Sequence, residues 1–357
     1  MGFTPWLIVV VTILLLLTDC EHTTPPIKEV PYCPPPVLNW AGEWKAPSPY
    51  HAYQRTSYDG KNLIFRSYGK AYLLNLKTNV VEYIDLQSKL PDNVKLTSAG
   101  YFYWCPYDNN RVLIHAVTST DLPDDSIKRY YYGQNLYIVS LDGSEFKRVT
   151  PSIYGLIGAP GFYIYSWLPE SKPGYDLIQM TADVPGINTI AKLYIPQTDE
   201  FISSENDKLR AISKNGNYYF FEIGRNADAK TVCGINGNEF VFNEEMGLDY
   251  CSFSPSGKYL ALTVSPQSAS WADRRFNEIW IINVEKFLVE KPDTLAPDKI
   301  INLRHDFCMY AMVASPCAEF ISETVLAVAM YKDGDDKAYL WKVGIDGKLL
   351  GQLTFEP

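Results

Sequence analysis

The sequence predicts an all-β fold: a six-bladed β-propeller of four-stranded antiparallel blades, preceded by a signal segment and a Pro-rich spacer. Three observations predict it. A unit of turn, apolar strand, loop and alternating strand recurs six times after residue 50. The composition, with 26 Tyr, 24 Pro and 22 Gly among 357 residues, favours many short strands punctuated by turns. A hydrophobic content of 46% supplies a large core and excludes a disordered chain.

The first element is the exported end. Trp6 to Leu17 reads WLIVVVTILLLL, too short for a transmembrane helix of about 20 residues and suited to the apolar region of a secretory signal. Residues 1–19 are therefore set aside as a signal peptide. Leu17-Thr18-Asp19-Cys20 resembles the lipobox of bacterial lipoproteins, which implies lipidation of Cys20. Asp19 stands where the lipobox usually has a small residue, and residues 1–5 carry no Lys or Arg. Simple cleavage and an uncleaved anchor are the alternatives. Residues 20–49 form a spacer rich in Pro, from Pro25 to Pro49, extended at roughly 3 Å per residue. Residues 50–357 form the propeller.

The clearest unit is YCSFSPSGKYLALTVSP from Tyr250, followed by NEIWIINV from Asn277. Tyr103-Trp104-Cys105-Pro106 opens another, with RVLIHAV and NLYIVSLDGSEFKRVT. Ser166-Trp167-Leu168-Pro169 and Val313-Ala314-Ser315-Pro316 open two more. Two degenerate copies start at Thr56-Ser57-Tyr58-Asp59-Gly60 and Ile212-Ser213-Lys214-Asn215-Gly216. In each, a polar-Gly pair or a Pro marks the reversal between the first and second strands. The average of roughly 50 residues per unit is slightly above a typical blade. One blade cannot bury both its faces, whereas a ring of six can. Trp104, Trp167 and Phe253 are accordingly expected to pack between blades. Helix is expected to be almost absent after the signal, apart from a short turn near Val284 to Val289.

The SFSPSGKYLALT and NLYIVSLDGSEFKRVT segments closely resemble the repeats of TolB-like six-bladed β-propellers, over about residues 50–357. That resemblance implies a periplasmic or envelope-attached protein that acts by binding other proteins. Its motifs specify architecture rather than chemistry.

The residues offer little for catalysis. No G-x-S-x-G elbow is present, and no P-loop or dinucleotide pattern in a βα setting. Only His51, His115 and His305 fall outside the leader and spacer, and His115, within VLIHAV, suits a packed strand. The seven cysteines show neither CxxC nor a zinc spacing, so no metal or other cofactor is expected; lipidation of Cys20 would leave six, expected mostly as buried, reduced thiols. Asp333-Gly334-Asp335-Asp336 reads as a hairpin tip and fails the EF-hand spacing. A formal net charge of −9 argues against nucleic acid as a partner.

Two connections between second and third strands are long, about Ser119 to Gln134 and Ser265 to Asn277. They carry Lys128, Arg129, Tyr130, Tyr131 and Tyr132 in one, and Trp271, Arg274 and Arg275 in the other. Tyr, Trp and Arg are the residues enriched at interface hot spots. Equivalent loops emerge on one face, so these form the candidate partner-binding surface, unless the tyrosines begin the next strand and the arginines are simply solvated. The functional expectation is a non-enzymatic protein-binding scaffold of the bacterial cell envelope, monomeric, tied to the membrane through its N-terminal lipid. The alternative is a carbohydrate-active or other hydrolytic or lyase propeller with an acidic channel site.

Overall fold

The computed structural model describes residues 52–120, 133–151, 162–168, 176–182, 192–202, 208–225, 231–241, 246–266, 278–307, 309–311, 318–332 and 337–355. Cys20 and the whole leader and spacer lie outside them.

The strands form six antiparallel sheets. Blade 1 is β1 (Ala52–Thr56), β2 (Asn62–Ser67), β3 (Lys70–Asn75) and β4 (Val81–Ile84). Blade 2 is β5 (Val94–Cys105), β6 (Asp108–Thr120), β7 (Gly133–Ser140) and β8 (Phe146–Arg148). Blade 3 is β9 (Phe162–Leu168), β10 (Leu177–Ala182), β11 (Lys192–Ile195) and β12 (Glu200–Ile202). Blade 4 is β13 (Lys208–Ile212), β14 (Tyr219–Arg225), β15 (Thr231–Ile235) and β16 (Asn238–Val241). Blade 5 is β17 (Met246–Phe253), β18 (Tyr259–Pro266), β19 (Glu278–Asn283) and β20 (Lys299–Asn302). Blade 6 is β21 (Met309–Ala311), β22 (Ala318–Phe320), β23 (Val325–Lys332), β24 (Tyr339–Gly344) and β25 (Leu349–Gln352).

The first strands meet in cyclic order: β1 touches β5, β5 touches β9, and so on through β13, β17 and β22, which returns to β1. The result is a closed six-bladed ring with these strands innermost. Blade 6 departs from the simple pattern because its inner strand is broken in two. Both β21 and β22 pair with β23; residues 312–317 between them lie outside the described residues.

Three inner hairpins share one turn, the two degenerate copies among them. Ser57, Ser213 and Ser254 each donate their N–H to a carbonyl five residues on and accept an N–H from a Gly three residues on. The Ser hydroxyl oxygen also accepts the N–H of Asn62, Tyr218 and Tyr259 respectively. Gly60, Gly216 and Gly257 all have φ between 71° and 80°, the left-handed backbone that favours glycine.

The core lies between blades. In β7, Leu136 and Ile138 face a cluster with Trp167 and Tyr194 of blade 3, while Tyr137 and Val139 face one with Ile64 and Ala71 of blade 1. A strand sandwiched this way is buried on both sides, so the hydrophobic alternation of a half-exposed strand is lost. Trp104, Trp167 and Phe253 are buried in these clusters. A polar fastening joins blades 2 and 3: Arg111 bridges Glu145 at 2.8 Å and the buried Asp176 at 3.0 Å.

Helix is sparse but exceeds the expectation. A seven-residue helix, Val284–Glu290, follows β19 where a turn was expected, capped by the Asn283 side chain. A second, Leu303–Phe307, was not signalled.

Candidate functional site

Each inner strand runs toward its first turn, and the downstream ends of these strands converge. Arg55 and Thr56 of β1, Tyr103 and Trp104 of β5, Trp167 of β9, Arg210 to Ile212 of β13, Cys251 to Phe253 of β17 and Glu319 of β22 line one cavity of about 80 Å³. All six blades contribute, so the cavity sits on the ring axis. Because it lies at the first-turn ends, it opens on the face that carries the turns between strands one and two. The connections between strands two and three leave from the other face.

Among the described residues one carboxylate, Glu319, lines the cavity, and both its oxygens are engaged. Oε1 accepts the Thr56 N–H at 3.0 Å and Oε2 accepts the Tyr250 hydroxyl at 2.7 Å. Arg55 donates to the same Tyr250 oxygen, and its guanidinium carbon lies 4.2 Å from the Tyr250 ring centroid. Trp104 fixes the strand by donating from Nε1 to the Arg55 carbonyl at 2.9 Å. Arg210 pairs with Glu222 of the adjacent strand β14 at 3.0 Å. Lys214 follows β13, in the shared turn.

Two titratable groups at the cavity, Cys251 and Tyr58, are held neutral. Burial pushes the Cys251 thiol up to about 12, against the pull of Arg210 and Arg55. Burial likewise raises the Tyr58 phenol, with Arg55 opposing. A thiol in that condition is not a thiolate nucleophile at neutral pH. Cys105 and Cys233 are also buried and free, with thiols raised chiefly by burial. The other cysteines lie outside the described residues. No group of three His, Cys, Asp or Glu side chains arranged to hold a metal ion occurs among the described residues.

The residues expected to form a binding face, Lys128, Arg129, Tyr130, Tyr131, Tyr132, Trp271, Arg274 and Arg275, all lie outside the described residues, as does Asp333 to Asp336. The strand ends that flank them are described. Residues 121–132 join β6 to β7, and 267–277 join β18 to β19, both second-to-third connections. Residues 333–336 join β23 to β24 and leave from that same face. His115 is a packed strand residue, 8% exposed. An acidic channel site was expected only in the hydrolytic or lyase alternative, and the aromatic and cationic lining found here was not anticipated. Its signal was present in the repeat register, since Arg55, Tyr103, Trp104, Trp167, Arg210 and Phe253 all fall shortly before the first turn of their copies.

No family model matches the chain, and no curated protein does. Among solved structures, the Agrobacterium tumefaciens protein assigned as TolB is 13% identical, with a TM-score of 0.34, over 86% of this chain and 82% of that one. An acylaminoacyl peptidase is 11% identical with a TM-score of 0.44, over 85% of this chain and 45% of that longer one. A luciferin-regenerating enzyme is 9% identical with a TM-score of 0.44, over 87% and 97%. The six-bladed architecture rests on the sheets themselves; these distant likenesses carry nothing about chemistry.

Proposed function

We propose that this protein is a non-catalytic protein-binding module of the bacterial cell envelope, held to a membrane through a lipid on Cys20. The observation that carries the reading is the composition of the axial cavity. A glycosidase-type or other acid–base propeller needs two converging carboxylates or an activated nucleophile. Among the described residues the cavity offers one carboxylate, Glu319, with both oxygens already engaged, beside a thiol pushed up to about 12. What supports a partner on the opposite face is the placement of the two long connections. They depart from blades 2 and 5, which stand across the ring from one another, and carry an aromatic and basic sequence on a net acidic chain.

The test is capture of partners from crosslinked envelope by the wild type, Trp271→Ala, Arg275→Ala and Asp346→Ala. Asp346 is the control because its turn joins β24 to β25 on the cavity face, and it is exposed. Loss of recovery confined to the two loop variants, with unchanged melting temperatures, supports the reading. Equal recovery from all four removes this face. Cys20→Ala is expected to move the protein out of the membrane fraction or leave it unprocessed, because three acyl chains at about 0.8 kcal/mol per buried CH₂ exceed what stable attachment needs. Acyl labelling that survives this change would place the lipid elsewhere.

A further inference from the structure

Lys214 occupies the second position of the blade 4 turn Ser213-Lys214-Asn215-Gly216, yet its Nζ is buried and has no hydrogen-bond partner. It lines the axial cavity. Its Nζ also lies 3.8 Å from the place a Cβ would occupy on Gly60. Gly60 belongs to blade 1, three blades away round the ring, so the lysine side chain reaches across the axis to the opposite blade. An ammonium there has three donors to satisfy and a charge to balance.

The nearby acids do not balance it. Asp59 accepts from the Ser57 hydroxyl at 2.7 Å and pairs with Lys61 at 3.1 Å. Glu319 is committed to Thr56 and Tyr250. Both influence Lys214 only through space; burial is the dominant influence and pushes its ammonium down from the ordinary lysine range. Arg55 and Arg210 stand in the same cavity wall, Arg210 paired with Glu222 and Arg55 donating to Tyr250, and neither supplies the missing counter-charge. A buried charge left without a counter-charge is costly, and an anion supplied from outside would remove that cost.

We propose that the axial cavity is a carboxylate-binding site, with the Lys214 ammonium as its anchor. The geometry fits such a guest. A cavity of about 80 Å³ accommodates a group of a few heavy atoms. Trp104, Trp167 and Phe253 supply low-dielectric walls, in which charge-assisted hydrogen bonds are stronger than in water. The absence of a side chain on Gly60 keeps the space beside Nζ open. The carboxylate can belong to a free small acid or to the end of a peptide, and the chemistry at Lys214 is the same in both. This site is on the face opposite the long loops and does not depend on them.

Isothermal titration of the full chain tests it, with succinate, a pentapeptide with a free C-terminus, and the same peptide as its amide. Ionic strength is held constant with chloride. Saturable binding of succinate or of the free-acid peptide is expected, at least tenfold weaker in Lys214→Met and retained in Lys214→Arg. Tighter binding of the free-acid peptide than of succinate, with none for the amide, identifies a protein terminus as the source; succinate alone identifies a free acid. The ligand-free Lys214→Met protein should melt no lower than the wild type, since the substitution removes an unpaired buried charge; Lys214→Gln is the second neutral variant. Equal affinity in wild type and Lys214→Met, or no saturable binding of succinate or either peptide, overturns the proposal. Trp271→Ala should leave this binding unchanged, so its outcome is separable from that of the loop reading.

Discussion

His115 is a base that folding holds uncharged. It is 8% exposed and lies against Tyr101, with ring centroids 5.8 Å apart. Burial pushes its imidazole down to about 4 from 6.5, against a hydrogen bond with Gln134 that favours the charged form. Below pH 6.5 the unfolded chain takes up a proton that the folded chain refuses, so stability falls as pH drops from 6.5 toward 4. The loss attributable to His115 is about 2 kcal/mol at pH 5. Urea midpoints at pH 7 and pH 5 should therefore differ less for His115→Gln than for the wild type; an equal difference would show that His115 does not titrate as described. Packing of this residue was legible in VLIHAV, because a strand pattern fixes what a side chain faces. Lys214 was not legible. In sequence it is an ordinary turn lysine beside Asn215 and Gly216, and its isolation depends on a blade formed by residues far earlier in the chain.

The repeated inner hairpin separates backbone cost from crowding. Gly216 and Gly257 hold the same turn position at φ of 71° and 80°. A Cβ on Gly216 would meet nothing within 4 Å, whereas one on Gly257 would lie 2.6 Å from the Tyr218 ring and 3.2 Å from the Ser213 Cβ. Gly216→Ala should thus cost only the left-handed backbone penalty of about 1–2 kcal/mol. Gly257→Ala should cost that plus about 1–3 kcal/mol of overpacking against blade 4. Denaturant melts of both variants measure the difference, and equal losses would show that Tyr218 moves aside freely. These turns were readable even in the degenerate copies, since Ser-x-Asp/Asn-Gly states a local geometry. The broken inner strand of blade 6 was not. Val313-Ala314-Ser315-Pro316 reads as one strand end, while the structure places ladder-forming pieces on either side of it.

Across the whole ring, blade number followed from counting units, whereas the lining of the axial cavity did not, because each strand contributes one to three residues that meet only on closure. Closure itself is modest in kind. Every sheet is made of strands consecutive in the chain, so among the described residues no strand from one end completes a sheet at the other. Blades 6 and 1 are joined by packing of Leu63, Phe65 and Leu74 against Ala327, Ala329 and Leu340. The Gln54 amide donates to the Ala327 carbonyl at 3.1 Å, and the Thr56 N–H donates to Glu319. Without a shared strand, tension between the ends of the ring loads that seam first and then the blades one after another. In an optical trap the protein should lengthen in several steps, each releasing about 17 nm of contour for a blade of roughly 50 residues. A single rip of the full length would show that the blades yield together. With terminal blades giving way before central ones, a pull on the spacer peels blade 1 from its neighbours and dismantles the axial cavity while most of the ring still stands.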